Sequence, residues 1–174
     1  DITKLEWMNG EYVRRMSDEE LTKRLQEFLV DHPAREKVAP VVPLIKERIK
    51  KLSDFVPLTD FLFEKPEYDL QIFQKLTVGH PERSEGSKDL KIILQKVIEK
   101  LEEMEKPWKT EVFEETFRKL GEVEGIMAGD IFQLIRVAVS GQTVTPPLFE
   151  SIKVLGEEET LKRVEEALKF LEST

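Results

Sequence analysis

Residues Ser87 to Glu105 read SKDLKIILQKVIEKLEEME. Leu90, Ile93, Leu94, Val97, Ile98, Leu101 and Met104 recur at steps of three and four. That step is the repeat of a helix face turned toward a core, not the two-residue alternation of a strand. Pro107 closes the stretch, because a proline cannot donate into the helix ladder. The same period spreads outward on both sides. Upstream, Ser17-Asp18-Glu19-Glu20 has the form of a capping box ahead of Leu21, Leu25, Phe28 and Leu29, and His32-Pro33 ends that helix. Between Ala34 and Leu52, Pro40 and Pro43 push the regular helix to start near Val42, with Lys46, Arg48, Lys50 and Lys51 on its charged face. Phe55, Leu58 and Leu62 mark a third short helix that holds Pro57 in its first turn.

Downstream, Thr110 is placed to cap a helix that buries Phe113, Phe117 and Leu120 and ends at Gly121. Residues Asp130 to Ser140 are nearly all apolar, and Gly141 sits where a left-handed terminator is expected. Thr145-Pro146 reads as an N-cap followed by proline at the first helical position. Gly156 ends that helix, and Glu157 to Leu171 form the last one, with Leu161, Val164, Leu168 and Leu171 inward. Its acidic first turn suits the helix dipole. Period-two strands are absent, so the predicted class is all-α. Residues 64 to 88 are punctuated by Pro66, Gly79, Pro81 and Gly86 around a short apolar piece, and mark the expected boundary between two helical subdomains.

Composition narrows the function. The chain has 174 residues, 40% of them hydrophobic, enough for a core and too many for a disordered chain. It has no cysteine, which removes disulfides, thiol nucleophiles and cysteine-ligated zinc. The two histidines, His32 and His80, are far apart, each before a proline, and suggest no metal site. No apolar run approaches the roughly 18 residues that cross a bilayer, and no signal peptide opens the chain. A start at Asp1 in place of Met leads us to expect a part of something longer. Phosphate loops, G-x-S-x-G elbows and H-E-x-x-H motifs are absent, and Glu102, Glu103 and Glu105 read as a solvated helix face.

Two features stand out. Arg136 interrupts an apolar helix, and a buried arginine must either be paired or reach a ligand. The cations Arg35, Lys37, Lys46, Arg48, Lys50 and Lys51 cluster with only Glu36 and Glu47 among them, in a chain of net charge −8. That is either a solvated face or a local basic patch.

Several ordered blocks carry a resemblance. These are Lys4-Leu5-Glu6-Trp7-Met8-Asn9-Gly10-Glu11-Tyr12-Val13-Arg14, Val41 through Phe55, Arg136-Val-Ala-Val-Ser-Gly141, Thr145-Pro-Pro-Leu-Phe-Glu150, Leu155-Gly-Glu-Glu158 and Arg163-Val-Glu-Glu-Ala-Leu168. In this order they resemble the C-terminal, anticodon-binding part of bacterial glutamyl-tRNA synthetases over nearly the whole chain. Ser140 stands where that family commonly has Thr, and residues 77–88 look inserted.

The resemblance implies an all-α fold of two small helical subdomains packed in tandem, the anticodon-binding bundle of class I synthetases. The first would span 1–76 with an N-terminal connector, and the second 89–174, with 77–88 as an inserted loop. It implies a monomer in the cytoplasm whose partner is the anticodon loop of tRNA-Glu, with no role at a membrane. The parent enzyme would join glutamate to tRNA. Its ATP and Mg would lie in a catalytic domain whose signature motifs are missing here, leaving this chain without cofactor, metal or catalytic residues. By resemblance the third anticodon base is read by Arg48, with Lys46 second. Arg136 would bond or stack on a base or phosphate, Thr145 and Pro146 would offer hydrogen bonds to base edges, and Leu148 and Phe149 would touch splayed bases. The rival reading is a helical protein-interaction module, or a synthetase paralogue without RNA binding.

Overall fold

The computed structural model describes residues 1–76 and 89–174. The segment 77–88, expected as an insertion and with His80 in it, lies outside the described residues. Ten α-helices are described: α1 Ile2–Arg15, α2 Asp18–Phe28, α3 Val42–Ile45, α4 Phe55–Thr59, α5 Leu70–Gln74, α6 Leu90–Glu103, α7 Thr110–Glu124, α8 Ala128–Ser140, α9 Leu148–Leu155 and α10 Glu157–Glu172. Three 3-10 turns, Arg35–Lys37, Leu52–Asp54 and Asp60–Leu62, join the short helices of the first half. No strand occurs among the described residues, so the class is all-α as expected.

Two compact units emerge. One comprises Asp1–Lys65 with Val144–Val154, the other Pro66–Thr143 with Leu155–Thr174. This division differs from a single cut at 77–88. The reason lies in individual side chains. Tyr68, expected in the first subdomain, packs its ring on Phe73 and Phe170 and brings its hydroxyl to α8 and α10. Val154 of α9 instead joins the apolar core of the first unit.

In the first unit, Leu21 and Leu25 of α2 are fully buried with Val42, Ile45, Ile49 and Phe55. Ser17 caps α2, its Oγ accepting from Glu20 N at 3.1 Å. Phe28, expected on the inward stripe, is exposed, because α2 ends there and Leu29 takes the core position. The helix expected from Val42 toward Leu52 is only one turn long. The Asp54 carboxylate accepts from Lys50 N at 3.0 Å and Lys51 N at 3.2 Å, opening a new turn in place of the helix ladder.

In the second unit, α10 packs on α6 and α8, while α7 and α5 pack on α8. Asp89 caps α6 by accepting from Lys91 N. The helix expected to end at Gly121 runs on to Glu124, with Lys109 and not Thr110 at its cap position. Gly121 is needed inside it: a Cβ there would lie 2.6 Å from the Ile126 carbonyl oxygen. The left-handed residue that stops α7 is Gly125, at φ 66°.

Gly141 does end α8 as read from the sequence, at φ 71°, with its N–H donating to Val137 O at 2.7 Å. A Cβ at this position would fall 2.4 Å from the Glu67 carbonyl oxygen. Gly141→Ala is therefore expected to cost about 2 kcal/mol through backbone strain alone, before that clash is counted. Urea denaturation with an unchanged slope and a lowered midpoint would report it.

Candidate nucleic-acid interface

The first unit holds the basic run, and the fold separates its members. Lys46 Nζ lies 3.1 Å from an Asp18 carboxylate oxygen, half-buried. Lys50 Nζ faces Glu6 at 3.7 Å and Lys51 Nζ faces Asp54 at 3.8 Å. Arg35, Lys37 and Arg48 are exposed, and their side chains make no hydrogen bond or ion pair among the described residues. Arg48 does not sit on a long helix. It sits on the turn after α3, where Arg48 N donates to Ile45 O at 2.8 Å and Ile49 N to the same oxygen at 3.1 Å. Ile45 and Ile49 are both fully buried, which anchors this turn and sends Arg48 outward. A guanidinium held this way presents a planar fork of donors.

The Thr145–Phe149 segment belongs to the same unit. It does not form the expected cap. Thr145 is buried and its Oγ1 donates to Pro146 O at 2.8 Å. The first carbonyl to accept within α9 is that of Pro147, from Ser151 N at 3.0 Å. The start has moved two residues because Pro146 is itself followed by proline, which disfavours the α region for it. Pro146 is also buried, and the Ser151 hydroxyl closes the corner by donating to Pro147 O at 2.8 Å. Phe149 is 6% exposed, with Lys153 Nζ 5.2 Å from its ring centre. Thus the side chains of Thr145, Pro146 and Phe149 are buried in the corner. Leu148 is half-buried and reaches the surface.

Arg136 lies in the second unit, on α8. It is half-buried, and its Nε donates to Gln133 Oε1 at 3.3 Å. Gln133 Nε2 donates in turn to Thr143 O at 2.8 Å. The guanidinium is thereby tied to the chain that follows α8.

Two residues that sequence reasoning passed over hold this end of α8 in place. Arg163 is 3% exposed, and its Nη1 donates to Val139 O at 3.0 Å while its Nε donates to Glu159 Oε1 at 2.9 Å. The Tyr68 hydroxyl lies 2.7 Å from Ala138 O and 2.8 Å from Arg163 O. Terminal carbonyls that a helix cannot satisfy internally thus find partners in a tyrosine and an arginine. In the structure Thr160, Arg163, Ala167 and Leu171 form one buried stripe, while Leu161, expected inward, is only half-buried.

Burial, followed by the nearby Glu166 carboxylate, pushes the Tyr68 pKa above its ordinary value of 10.0. The folded state then resists ionisation while the unfolded chain ionises from about pH 10. Stability from this group is complete below that pH and is lost as pH rises through the folded pKa. Denaturant midpoints compared across pH 9 to 11.5 should fall less steeply in Tyr68→Phe than in the parent.

Among the described residues no group of acidic or histidine side chains could hold a metal ion, and no helix is long and apolar enough to cross a membrane.

The model of the family described as "Anticodon binding domain" matches residues 20–168. The glutamate–tRNA ligase 1 of Caldanaerobacter subterraneus subsp. tengcongensis is 34% identical over 179 residues, covering 99% of this chain and 35% of the relative. The glutamate–tRNA ligase of Roseiflexus castenholzii is also 34% identical, covering 97% of this chain and 34% of its own length. A crystal structure of the glutamate–tRNA ligase from Elizabethkingia meningosepticum superposes with a TM-score of 0.76 at 23% identity, over 95% of this chain and 32% of that one. At that identity the likeness speaks for the fold alone. The chain spans about a third of the length of the relatives it matches. With the family model spanning most of its residues, and the helical fold agreeing, this chain belongs to the anticodon-binding domain family.

Proposed function

We propose that the chain reads the anticodon of tRNA-Glu as the recognition part of a glutamate–tRNA ligase. On this reading the remaining two thirds of the enzyme supplies the catalytic domain with its ATP and Mg. The chain works there as part of a monomer in the cytoplasm. The observation that carries the reading is Arg48: an exposed arginine, anchored through its backbone, while Lys46, Lys50 and Lys51 beside it are neutralised by acids.

Its chemistry fits the task. Glutamate anticodons end in C at the third position, where glutamine anticodons have G. Cytosine presents a carbonyl and an unprotonated ring nitrogen, both acceptors for a guanidinium fork. Guanine presents a ring N–H in the same place and meets the fork donor to donor. Single-stranded loop bases are the usual targets of sequence-specific RNA recognition because their edges are open. Leu148 would add apolar contact in the same unit, over the corner built by Thr145, Pro146 and Phe149. Lys46, paired with Asp18, would stand second to Arg48 at the same base. Arg136 of the second unit would bond a base or phosphate, its guanidinium oriented by Gln133. The net charge of −8 is compatible, since one loop needs only local cations.

The test is a titration of the chain with tRNA-Glu transcript, alongside a copy carrying G at the third anticodon position. Tighter binding of the C form is expected, weakening as salt is raised. Arg136→Ala should weaken both while far-ultraviolet circular dichroism stays unchanged. Equal binding of the two tRNAs, or none, would leave a helical protein-interaction module as the better account.

A further inference from the structure

The turn that carries Arg48 is not the one its own residues favour. Lys46 to Leu52 reads KERIKKL, with neither glycine nor proline to interrupt a run of good helix formers. By local preference α3 would run on, with Lys50 N donating four residues back to Lys46 O. It stops because another acceptor takes the donors. Asp54 Oδ2 accepts from Lys50 N at 3.0 Å and from Lys51 N at 3.2 Å. Asp54 N donates back to Lys51 O at 3.1 Å, so the aspartate grips the start of the new turn from both sides.

Asp54 is itself fixed. Phe55 beside it is fully buried, and the Phe55 N–H closes the turn Leu52–Asp54 by donating to Leu52 O. Arg48 therefore stands between two clamps. Before it, Ile45 O accepts from Arg48 N and Ile49 N; after it comes the Asp54 carboxylate. A guanidinium fork reads a base edge only when its carrier is held to within about 0.5 Å and 10–20°. Arg48 N donates three residues back, not four. Restoring the four-residue step of a continuous helix turns each residue by about 20° less, which within two residues passes that tolerance.

We infer that Asp54 is a positioning residue for anticodon recognition: by taking the N–H groups of Lys50 and Lys51 it holds the turn from which Arg48 presents its guanidinium to the third anticodon base. The inference rests on the Arg48 reading proposed above and adds to it the residue that aims the arginine. Asp54 itself contacts no base. Its carboxylate also lies 3.8 Å from Lys51 Nζ, so its loss releases a cation as well as a turn. Geometry and charge have to be tested apart.

Two variants of the chain separate them. Asp54→Ala removes both the acceptor and the charge. Asp54→Asn removes the charge and keeps an amide oxygen with two lone pairs for the two N–H groups. Each is titrated with the tRNA-Glu transcript and with the copy carrying G at the third anticodon position. Backbone amide exchange is followed by NMR without RNA. Asp54→Ala is expected to speed exchange at Lys50 and Lys51 by about tenfold or more, with the amides of α6 and α8 unchanged. It should lower the preference for C over G by about fivefold to tenfold. Asp54→Asn should keep both amides slow and the preference within about twofold of the parent, although Lys51 is released. Freed amides with the parent preference in Asp54→Ala would overturn the inference, since Asp54 would then cap a turn and aim nothing. So would amides that stay protected in that variant, or a preference lost equally in Asp54→Asn, which would assign the effect to charge. Loss of the whole fold in Asp54→Ala would overturn it too, the residue then supporting the unit and not one turn. A parent chain that binds both tRNAs equally defeats the Arg48 reading and this inference with it. A parent that discriminates, beside an Asp54→Ala variant that discriminates as well, defeats the inference alone.

Discussion

Arg48→Gln is expected to relax the preference for C over G at the third anticodon position by about tenfold to a hundredfold. A correctly placed bidentate contact to a base edge is worth about 1–3 kcal/mol of discrimination. Arginine can only donate, so it rewards the acceptors of cytosine and is repelled by the guanine N–H. Glutamine carries a donor and an acceptor on a rotatable amide and can face either base. The C form should therefore bind less tightly and the G form should bind as well as before or better. The fold should be indifferent, because the Arg48 side chain is exposed and makes no bond among the described residues. Stability is expected to stay within about 0.5 kcal/mol of the parent. Lys46→Gln is the informative companion. Lys46 is half-buried against Asp18, so its loss should lower affinity for both tRNAs with little change in their ratio. A ratio that moves with Lys46 and not with Arg48 would transfer the reading role to the lysine.

Arg163→Met should destabilise the protein by about 3 kcal/mol, the largest loss expected from a single side chain here. Methionine keeps most of the aliphatic bulk of arginine and removes the guanidinium. Two things then go wrong in a buried place. The Val139 carbonyl near the end of α8 loses its donor, and the Glu159 carboxylate loses its partner. Breaking a buried pair from one side costs about 3–5 kcal/mol, and the partial exposure of Glu159 argues for the lower end. Glu159→Gln should cost far less, because an amide oxygen can still accept from Arg163 and half of the arrangement survives. Urea unfolding of the two variants checks this order. If Arg163→Met unfolds at the parent midpoint, the carbonyls at the end of α8 have another source of hydrogen bonds.

These two arginines also mark how far the residues could be read in advance. Arg48 stands out in advance because a basic cluster in an acidic chain is visible as composition, and the family resemblance implies a task for it. That Lys46, Lys50 and Lys51 are tied up while Arg48 is not depends on Asp18, Glu6 and Asp54, the first two of them remote in sequence. Arg163 looked like one more charge on a helix with a Glu-rich start. Its burial follows from the approach of α8 and Tyr68, which no local pattern announces. Thr145 misled in the other direction. Thr-Pro is a good cap signal by itself, but the second proline at 147 moved the helix start and turned the hydroxyl inward.

The residues alone determined the all-α class, the stop of α8 at Gly141, the cap at Ser17 and the junction at Gly156. Each of these rests on hydrogen bonds and dihedral preferences that reach no further than about four residues along the chain, so the local sequence contains all the information required. Tertiary structure decided the grouping: residues 144–154 complete the first unit, and 66–76 belong with the second. It also decided which cations are neutralised and which polar groups are sealed in. Those outcomes turn on partners such as Lys46 and Asp18, 28 residues apart, or Tyr68 and Ala138, 70 apart. Such pairs meet only after apolar burial has brought the helices together, and burial depends on side chains from the whole chain at once.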